Sequence, residues 1–187
     1  FTLRPMRPVR PRQLITWGRQ EATVKGEIKG RTTRTLGVTF SSRERRLRLN
    51  DAPPLRLDDY FNGVQVVAFT PEDIQLVRGA PDLRRKWLDR AVFNSDLTYL
   101  TEVRQYLRIL GHRNALLKDP KADDTLLEVL ADQFTAAGAR MIRRRAAQIQ
   151  RTQPHLHTAF KRIFPEKDID VGIQYNANIS LPDIDPV

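Results

Sequence analysis

Apolar and polar residues alternate along the first third of the chain, a pattern that is typical of half-buried strands. The alternation predicts three strands, at residues 22–28, 35–40 and 45–49. Polar turns at residues 29–33 and 41–44 separate them, so we expect an antiparallel meander. The side chains expected on its inner face are Ala22, Val24, Ile28, Leu36, Val38, Phe40, Leu47 and Leu49.

A further apolar segment, residues 64–69, is interrupted only by Gln65 and predicts a buried strand. It leads into a polar turn at residues 70–73. A helix is then expected to begin at Pro81 or Asp82, because proline is favoured in the first turn of a helix. A polar junction between a sheet and a set of helices suggests a hinge that responds to a ligand.

Beyond this junction the apolar residues recur every three or four positions, which predicts helices. A short loop at residues 119–124 separates two of them, so these two must lie antiparallel, as a coiled-coil hairpin at about residues 97–151. A separate last helix is expected at residues 154–164. The expected apolar positions are Leu83, Trp87, Leu88, Ala91 and Val92 in the first helix, Leu100, Val103, Leu107, Leu110 and Leu117 with the polar Asn114 in the second, and Leu127, Leu130, Phe134, Ala137 and Met141 in the third.

These patterns predict an α+β fold. We divide the chain into a basic β region at residues 1–69, a helical lobe at 70–165 and a returning strand within 166–187. Residues 1–12 are rich in arginine and proline, so they are expected to form an extended connector. A content of 40% hydrophobic and 29% charged residues fits a soluble globular protein.

The formal net charge is +10, and the excess lies at one end of the chain. Residues 1–50 contain 13 Lys and Arg against 3 Asp and Glu, whereas the remainder is neutral. A concentrated basic surface favours a polyanion such as DNA as the partner, and a basic tail that only aids solubility is the alternative. The candidate DNA-binding residues on the sheet and its turns are Lys25, Arg31, Arg34, Arg43, Arg46 and Arg48.

Two pairs of helical arginines are further DNA-binding candidates, and each has a structural alternative. Arg84 and Arg85 could form a solvated helix face, or one could pair with Asp89 while the other meets a phosphate. Arg143 and Arg144 lie at the basic end of the returning helix. They could contact DNA, or they could simply complement the helix dipole.

Several classes of site are excluded by composition. The sequence has no cysteine, so disulfides, thiolate metal sites and cysteine nucleophiles are excluded. No segment approaches the ~18 apolar residues of a membrane helix, and no signal-peptide pattern occurs, so we expect a cytoplasmic protein. His155 and His157 have no obvious third ligand, and no metal site is predicted. Neither a GxxxxGK[ST] loop nor a Ser-His-Asp set is present, and we assign no catalytic residue.

Residues 66–89 carry an ordered motif that resembles the RecF family of SMC-like, ABC-type ATPases. The resemblance extends over most of residues 10–120, including the segment 13–18. Members of the family more often have a Ser/Phe/Arg run at residues 5–8, so a RecF-like paralogue stays open. The residues that carry the resemblance are Phe69, Pro71, Glu72, Asp73, Ile74, Gly79, Pro81, Arg84, Arg85, Leu88 and Asp89, followed by Tyr99, Tyr106 and 113–118.

The resemblance implies a central portion of an ATPase head, namely the edge of the first lobe and the arm-bearing second lobe, without its nucleotide-binding motifs. It implies a parent that is a weak DNA-dependent ATPase, binds ATP and Mg²⁺ and dimerises on ATP. This parent would recognise DNA at single-strand gaps and, with RecO and RecR, load RecA in repair, recombination, replication and the SOS response. By position, the nucleotide-sensing Q-loop would comprise Thr70, Pro71, Glu72, Asp73 and Gln75, with a plain capping turn as the alternative.

Two other functions are compatible with the residues alone. The first is a standalone DNA-binding module without ATP chemistry, which would bind DNA in a strongly salt-dependent way. The second is an interaction scaffold that uses the coiled-coil hairpin, for which charged substitutions of Leu107 and Leu130 should abolish partner binding.

Overall fold

The computed structural model describes residues 9–120 and 122–177 of the chain, and these form two compact units. The boundary between the units falls between Gly79 and Ala80. The first unit contains a three-stranded sheet and the second is helical, so the predicted α+β class is confirmed. Most of the predicted connector and the end of the predicted last strand lie outside the described residues. The three-part division of the chain stays a prediction.

The sheet of the first unit is the antiparallel meander that the alternation predicts, with strand order β1-β2-β3. Val24 lies opposite Val38, and Val38 lies opposite Leu47, so the apolar positions of all three strands share one face. The shared face agrees with the predicted inward set, although Val24 is 60% exposed. The strands are β1 (Glu21–Ile28), β2 (Arg34–Ser41) and β3 (Arg45–Leu49).

A short helix, α1 (Leu57–Phe61), supplies the rest of the first core. Its Tyr60 and Phe61 are buried, as are Leu36 and Phe40 of β2. The Tyr60 hydroxyl donates a hydrogen bond of 3.3 Å to the carbonyl of Gly37, so the buried phenol keeps a partner. Aromatic and leucine side chains on one sheet face are therefore held by burial against this single turn of helix.

The predicted buried strand at residues 64–69 is wrong. The segment is extended but joins no described strand, and the side chains of Val67 and Phe69 are 92% and 91% exposed. The alternate residues Val64, Val66 and Ala68 are half-buried. An apolar segment becomes a buried strand only when a neighbouring strand takes up its backbone groups and both faces are covered. The described part of the first unit supplies neither.

The segment is followed by a 3₁₀ turn, Pro71–Ile74, and by a short helix, α2 (Gln75–Arg78). The second unit then begins with α3 at Pro81, one of the two predicted starting residues. The separate helix predicted at residues 154–164 is wrong, because a single helix of 40 residues runs through Pro154. A proline removes only one backbone donor, and the long helix on both sides tolerates that loss. The long helices are α3 (Pro81–Ser95), α4 (Thr98–Leu116) and α5 (Asp124–Ile163).

Helices α4 and α5 pack antiparallel as expected, but α4 presents only part of the predicted face, since just Leu100, Val103 and Leu110 of that set are half-buried. Leu107 is 56% exposed, and Tyr106 instead points to α5, where its ring stacks on Phe134 at a centroid distance of 4.9 Å. Gly138 makes room for this ring, since a Cβ at that position would lie 3.6 Å from Tyr106 Cε2. The predicted α4 positions Asn114 and Leu117 are also exposed. The predicted α5 positions, all buried or half-buried, are Leu127, Leu130, Phe134, Ala137 and Met141.

The core of the second unit lies where α3, α4 and α5 meet. The extended segment after α5 packs onto this core through Ile173 and Tyr175. The backbone N–H of Ile173 donates to Gln153 Oε1 of α5 at 2.8 Å. Over residues 166–177 the predicted last strand is therefore an extended segment held by a helix, with no ladder to a described strand. The buried members of the core are Leu88, Val92, Tyr99, Met141 and Ile149.

Candidate nucleic-acid interface and hinge

Three of the candidate basic residues share the polar face of the sheet. Lys25 of β1 and Arg48 of β3 both lie opposite Gly37 of β2, so they flank a position without a side chain. Arg46 lies opposite Thr39, two residues along the same face. The alternation predicts this arrangement.

Acidic groups of the same unit partly neutralise this polar face. Lys25 Nζ lies 2.7 Å from Asp51 Oδ1, and Arg48 donates to the carbonyl of Asp51 at 2.6 Å. The hydrogen bond from Lys25 lowers the pKa of Asp51 below its usual value, so this carboxylate stays charged. Arg46 pairs with Glu21 and, at 3.4 Å, with Glu44. Such exposed pairs contribute little to stability, so a phosphate can compete for the cations.

The other three candidates of the first unit differ from one another. Arg34 is half-buried and donates to the backbone carbonyls of Asp59 and Asn62, which ties β2 to the end of α1. Arg31 and Arg43 are exposed in the turns that precede and follow β2. Neither forms an ion pair with a residue in the described part of the chain.

The helical candidates are placed on α3 and α5. Arg84 and Arg143 are exposed, and Arg85 lies 3.6 Å from Asp82 in the first turn of α3. Arg144 is instead held inside the unit, since it contacts Asp96 at 2.5 Å and Glu102 at 2.8 Å. Burial lowers the pKa of Arg144, but the hydrogen bond to Asp96 and the charge of Glu102 more than offset that effect. Arg144 therefore joins α5 to the start of α4.

Asp89 pairs with Arg145, whereas the sequence offered Arg84 or Arg85 as a possible partner. Asp89 accepts two hydrogen bonds from Arg145, at 2.7 and 3.0 Å, and a third from the Tyr99 hydroxyl at 2.5 Å. Arg145 comes from α5 and is only 16% exposed. The carboxylate therefore joins α3, α4 and α5 at one point. We call Asp89, Tyr99 and Arg145 the three-helix contact.

The surroundings of the three-helix contact keep the Tyr99 hydroxyl protonated and the Arg145 guanidinium charged. Burial, together with the hydrogen bond to Asp89, raises the pKa of Tyr99, so its hydroxyl remains a donor. Burial lowers the pKa of Arg145, but the hydrogen bonds to Asp89 and Tyr175 raise it by more. Sequence reasoning missed Arg145 because it lies in a basic run and is 56 residues from its partner.

The residues predicted to form the nucleotide-sensing hinge, at 70–75, form a capping turn. Asp73 Oδ2 accepts the backbone N–H of Thr70 at 2.5 Å and the Thr70 hydroxyl at 3.1 Å. Both side chains are half-buried, whereas those of Pro71, Glu72 and Gln75 are exposed. Thr70 and Asp73 therefore shape the turn, and the exposed polar groups that a ligand can reach belong to Glu72 and Gln75. The role of these residues as nucleotide sensors stays a prediction.

Metal sites and membrane-spanning helices are both absent from residues 9–120 and 122–177. No cluster of three or more His, Asp or Glu in these ranges has the arrangement of a metal site. His157 Nδ1 instead lies 3.1 Å from Asp170. None of the helices in the same ranges is long and apolar enough to cross a membrane.

The chain is similar to known proteins over nearly its whole length, although no family model matches it. It is 36% identical over 178 residues to the DNA replication and repair protein RecF of Geobacter sulfurreducens, which covers 95% of this chain and 48% of that relative. It is 40% identical over 165 residues to the RecF protein of Myxococcus xanthus, with coverages of 87% and 43%. The chain thus spans about half the length of the curated relatives that it matches.

Solved structures agree with these sequence matches at the level of the fold. A structure of the recombination mediator protein RecF with ATPrS in the RecFOR pathway superimposes with a TM-score of 0.78 at 23% identity, and covers 89% of this chain and 46% of that one. A second, of RecF with ATP in the same pathway, gives a TM-score of 0.79. At this identity the superpositions show a shared fold.

Proposed function

The chain belongs to the RecF family, and on that basis we propose that it is the DNA-contacting and arm-bearing portion of a RecF-type DNA-repair ATPase. The complete protein acts in the cytoplasm, binds ATP and Mg²⁺ and dimerises on ATP. It recognises DNA at single-strand gaps and, with RecO and RecR, helps to load RecA. The chain itself contributes the DNA surface, the hinge and the α4–α5 arm, and the segments that hold the nucleotide come from elsewhere in the protein.

The observation that carries the DNA-binding part of the proposal is the charge of the first unit. Its sequence holds 13 Lys and Arg against 3 Asp and Glu over residues 1–50. Arg31 and Arg43 project from the turns at the two ends of β2, and the exposed pair of Lys25 and Asp51 is weak enough for a phosphate to replace. Each phosphate bound releases counterions, which is the main driving force at low salt.

The test of DNA binding is the salt dependence of affinity. We expect the 187-residue chain to bind gapped, duplex and single-stranded oligonucleotides, measured by fluorescence anisotropy at several salt concentrations. The logarithm of the affinity should fall with that of salt, with a slope of about −0.9 per phosphate contacted on duplex DNA. An affinity that does not change with salt would contradict the proposal.

The hinge is proposed to report the nucleotide to the helical lobe through Glu72 and Gln75. Both side chains are exposed next to the turn that the Thr70–Asp73 hydrogen bonds hold. Alanine substitution of both should abolish ATP-dependent dimerisation of the complete gene product, measured by light scattering, while DNA affinity without ATP is unchanged. As a matched control, Glu27→Ala and Gln20→Ala remove the same two exposed side-chain types in the same unit and should leave dimerisation intact. If the hinge variant dimerises on ATP as the wild type does, the hinge does not sense nucleotide.

The proposed partners RecO and RecR are tested with the complete gene product on gapped DNA. RecA filament formation should be faster when the gene product, RecO and RecR from the same organism are present together than with RecO and RecR alone. If the gene product adds nothing, the assignment to RecA loading fails, although the chain can still bind DNA. In that case the standalone DNA-binding module becomes the better description.

A further inference from the structure

Trp17 is one of several exposed apolar side chains of the first unit that the basic sheet does not explain. Its side chain is 98% exposed, in the segment between the 3₁₀ turn Pro11–Leu14 and β1. The segment has a fixed shape, since Arg19 N–H donates to the Thr16 carbonyl at 2.9 Å. Gly18 follows with φ +78°, a conformation that other residues rarely adopt. The turn therefore presents the indole outward.

An outward indole in a fixed turn favours a ligand. Burying such a side chain stabilises a protein by about 2–3 kcal/mol, a gain that Trp17 gives up. The other tryptophan, Trp87, is half-buried against the core of the second unit. Large aromatic side chains that stay exposed are typical of surfaces that stack on, or pack against, a partner.

The surroundings of Trp17 are basic. Arg10, Arg12 and Arg19 are exposed, and none of them forms an ion pair within residues 9–120 and 122–177. The pairing of Glu21 with Ser41 places the start of β1, and hence the preceding turn, at the same end of the sheet as Arg43. Arg46 pairs with Glu21 and Glu44 at this end of the sheet, whereas Arg10, Arg12, Arg19 and Arg43 form no ion pair among the described residues.

We propose that Trp17 stacks on an unpaired base of single-stranded DNA while Arg19 and Arg43 bind the flanking phosphates. The proposal rests on the DNA-binding function above and adds the residue that distinguishes single-stranded from duplex DNA. An indole can stack only on a base whose face is open, and in a duplex the neighbouring base pairs cover both faces. An exposed aromatic ring with arginines nearby in the sequence is a usual combination for binding a single strand, since every base has a face and every nucleotide a phosphate.

The experiment compares Trp17→Ala with wild type on oligo(dT) and on a blunt duplex of equal length. Loss of one stacked base should weaken oligo(dT) binding by roughly 5- to 150-fold. Duplex affinity should change less than about twofold, since the phosphate contacts remain. Trp17→Phe keeps an aromatic face and should retain most of the affinity. Leu55→Ala is the matched control, because Leu55 is also 98% exposed in the same unit and should have no effect.

Fluorescence gives an independent measurement. In a Trp87→Phe variant Trp17 is the sole tryptophan, and stacking should quench its emission when oligo(dT) is added but not when duplex is added. If that variant does not fold, the difference in quenching between wild type and Trp17→Phe gives the same quantity. Circular dichroism of each variant establishes that the fold is intact.

The outcomes separate this inference from the proposed function. Wild-type binding to both DNAs with no loss in Trp17→Ala and no quenching would overturn the stacking role and leave DNA binding in place. Equal losses on oligo(dT) and duplex would also overturn it, because Trp17 would then only position the backbone. A loss of RecO or RecR binding with unchanged DNA affinity would assign Trp17 to a protein contact. Failure of the wild type to bind any DNA would refute the proposed function first.

Discussion

Removal of the Asp89 carboxylate should destabilise the second unit more than any substitution of a surface charge. In Asp89→Ala, Arg145 loses both of its hydrogen bonds to Asp89 and keeps only the one to Tyr175, and Tyr99 loses its acceptor. Breaking a buried ion pair costs about 3–5 kcal/mol, because the remaining charge is left without a partner. Since Asp89 is about one-third exposed, water recovers part of that loss, and we expect a cost of about 2–4 kcal/mol.

The assay is urea unfolding, followed by circular dichroism of the helices, with Asp82→Ala as the matched control. Asp82 lies on the same helix, and its ion pairs with Arg85 and Lys86 are exposed, so its removal should change the free energy of unfolding far less. A drop of about 2–4 kcal/mol corresponds to a fall in melting temperature of roughly 10 °C for a unit of this size. If Asp89→Ala and Asp82→Ala behaved alike, the three-helix contact would not stabilise the fold as argued.

Three further predictions follow from individual contacts. The hydrogen bonds from Thr98 and Arg144 lower the pKa of Asp96. The ionised Asp96 carboxylate should therefore stabilise the fold fully above pH ~4, and this contribution should vanish as pH falls below that value. The melting temperatures of wild type and Asp96→Asn should accordingly converge in acid and differ at pH 6–7. Leu107→Glu should cost under about 0.5 kcal/mol in urea unfolding, because Leu107 is largely exposed. Phe134→Ala should cost about 2–3 kcal/mol, because its ring stacks on Tyr106. Equal costs would favour the predicted packing of Leu107 against α5. Asp73→Asn should weaken the turn at Thr70, seen as faster proteolysis of residues 64–79 with the helical unit still folded; an unchanged cleavage rate would argue against a structural role for this carboxylate.

The strands could be predicted from sequence because their signal is local. A period of two over five to eight residues fixes which side chains share a face, and the turns at 29–33 and 41–44 fix the order of the strands. That Val24 and Val38 share a face follows from this pattern, whereas their direct pairing is supplied by the structure. The prediction for residues 64–69 failed because apolar content does not specify which neighbouring elements cover a segment. Phe69 is exposed here for that reason.

Long-range contacts were the part that the sequence could not supply. On α4 two apolar stripes compete, and the choice between Leu107 and Tyr106 depends on Gly138, a residue of another helix. The pairing of Asp89 with Arg145 spans 56 residues and has no local signature. Among the candidate DNA-binding residues, spacing alone gave no means of separating Arg144, which binds inside the unit, from the exposed Arg43.

The central claim is that the basic first unit binds DNA through its exposed arginines, and one comparison tests it most directly. The affinity of the 187-residue chain for gapped DNA is measured for wild type, for Arg31→Glu with Arg43→Glu, and for the control Arg104→Glu with Arg108→Glu, which makes the same change in net charge on the exposed face of α4. We expect the first double variant to bind at least about 10-fold more weakly, with a salt slope shallower by about 2, and the control to bind nearly as wild type. Equal losses in the two double variants, or no loss in either, would contradict the claim.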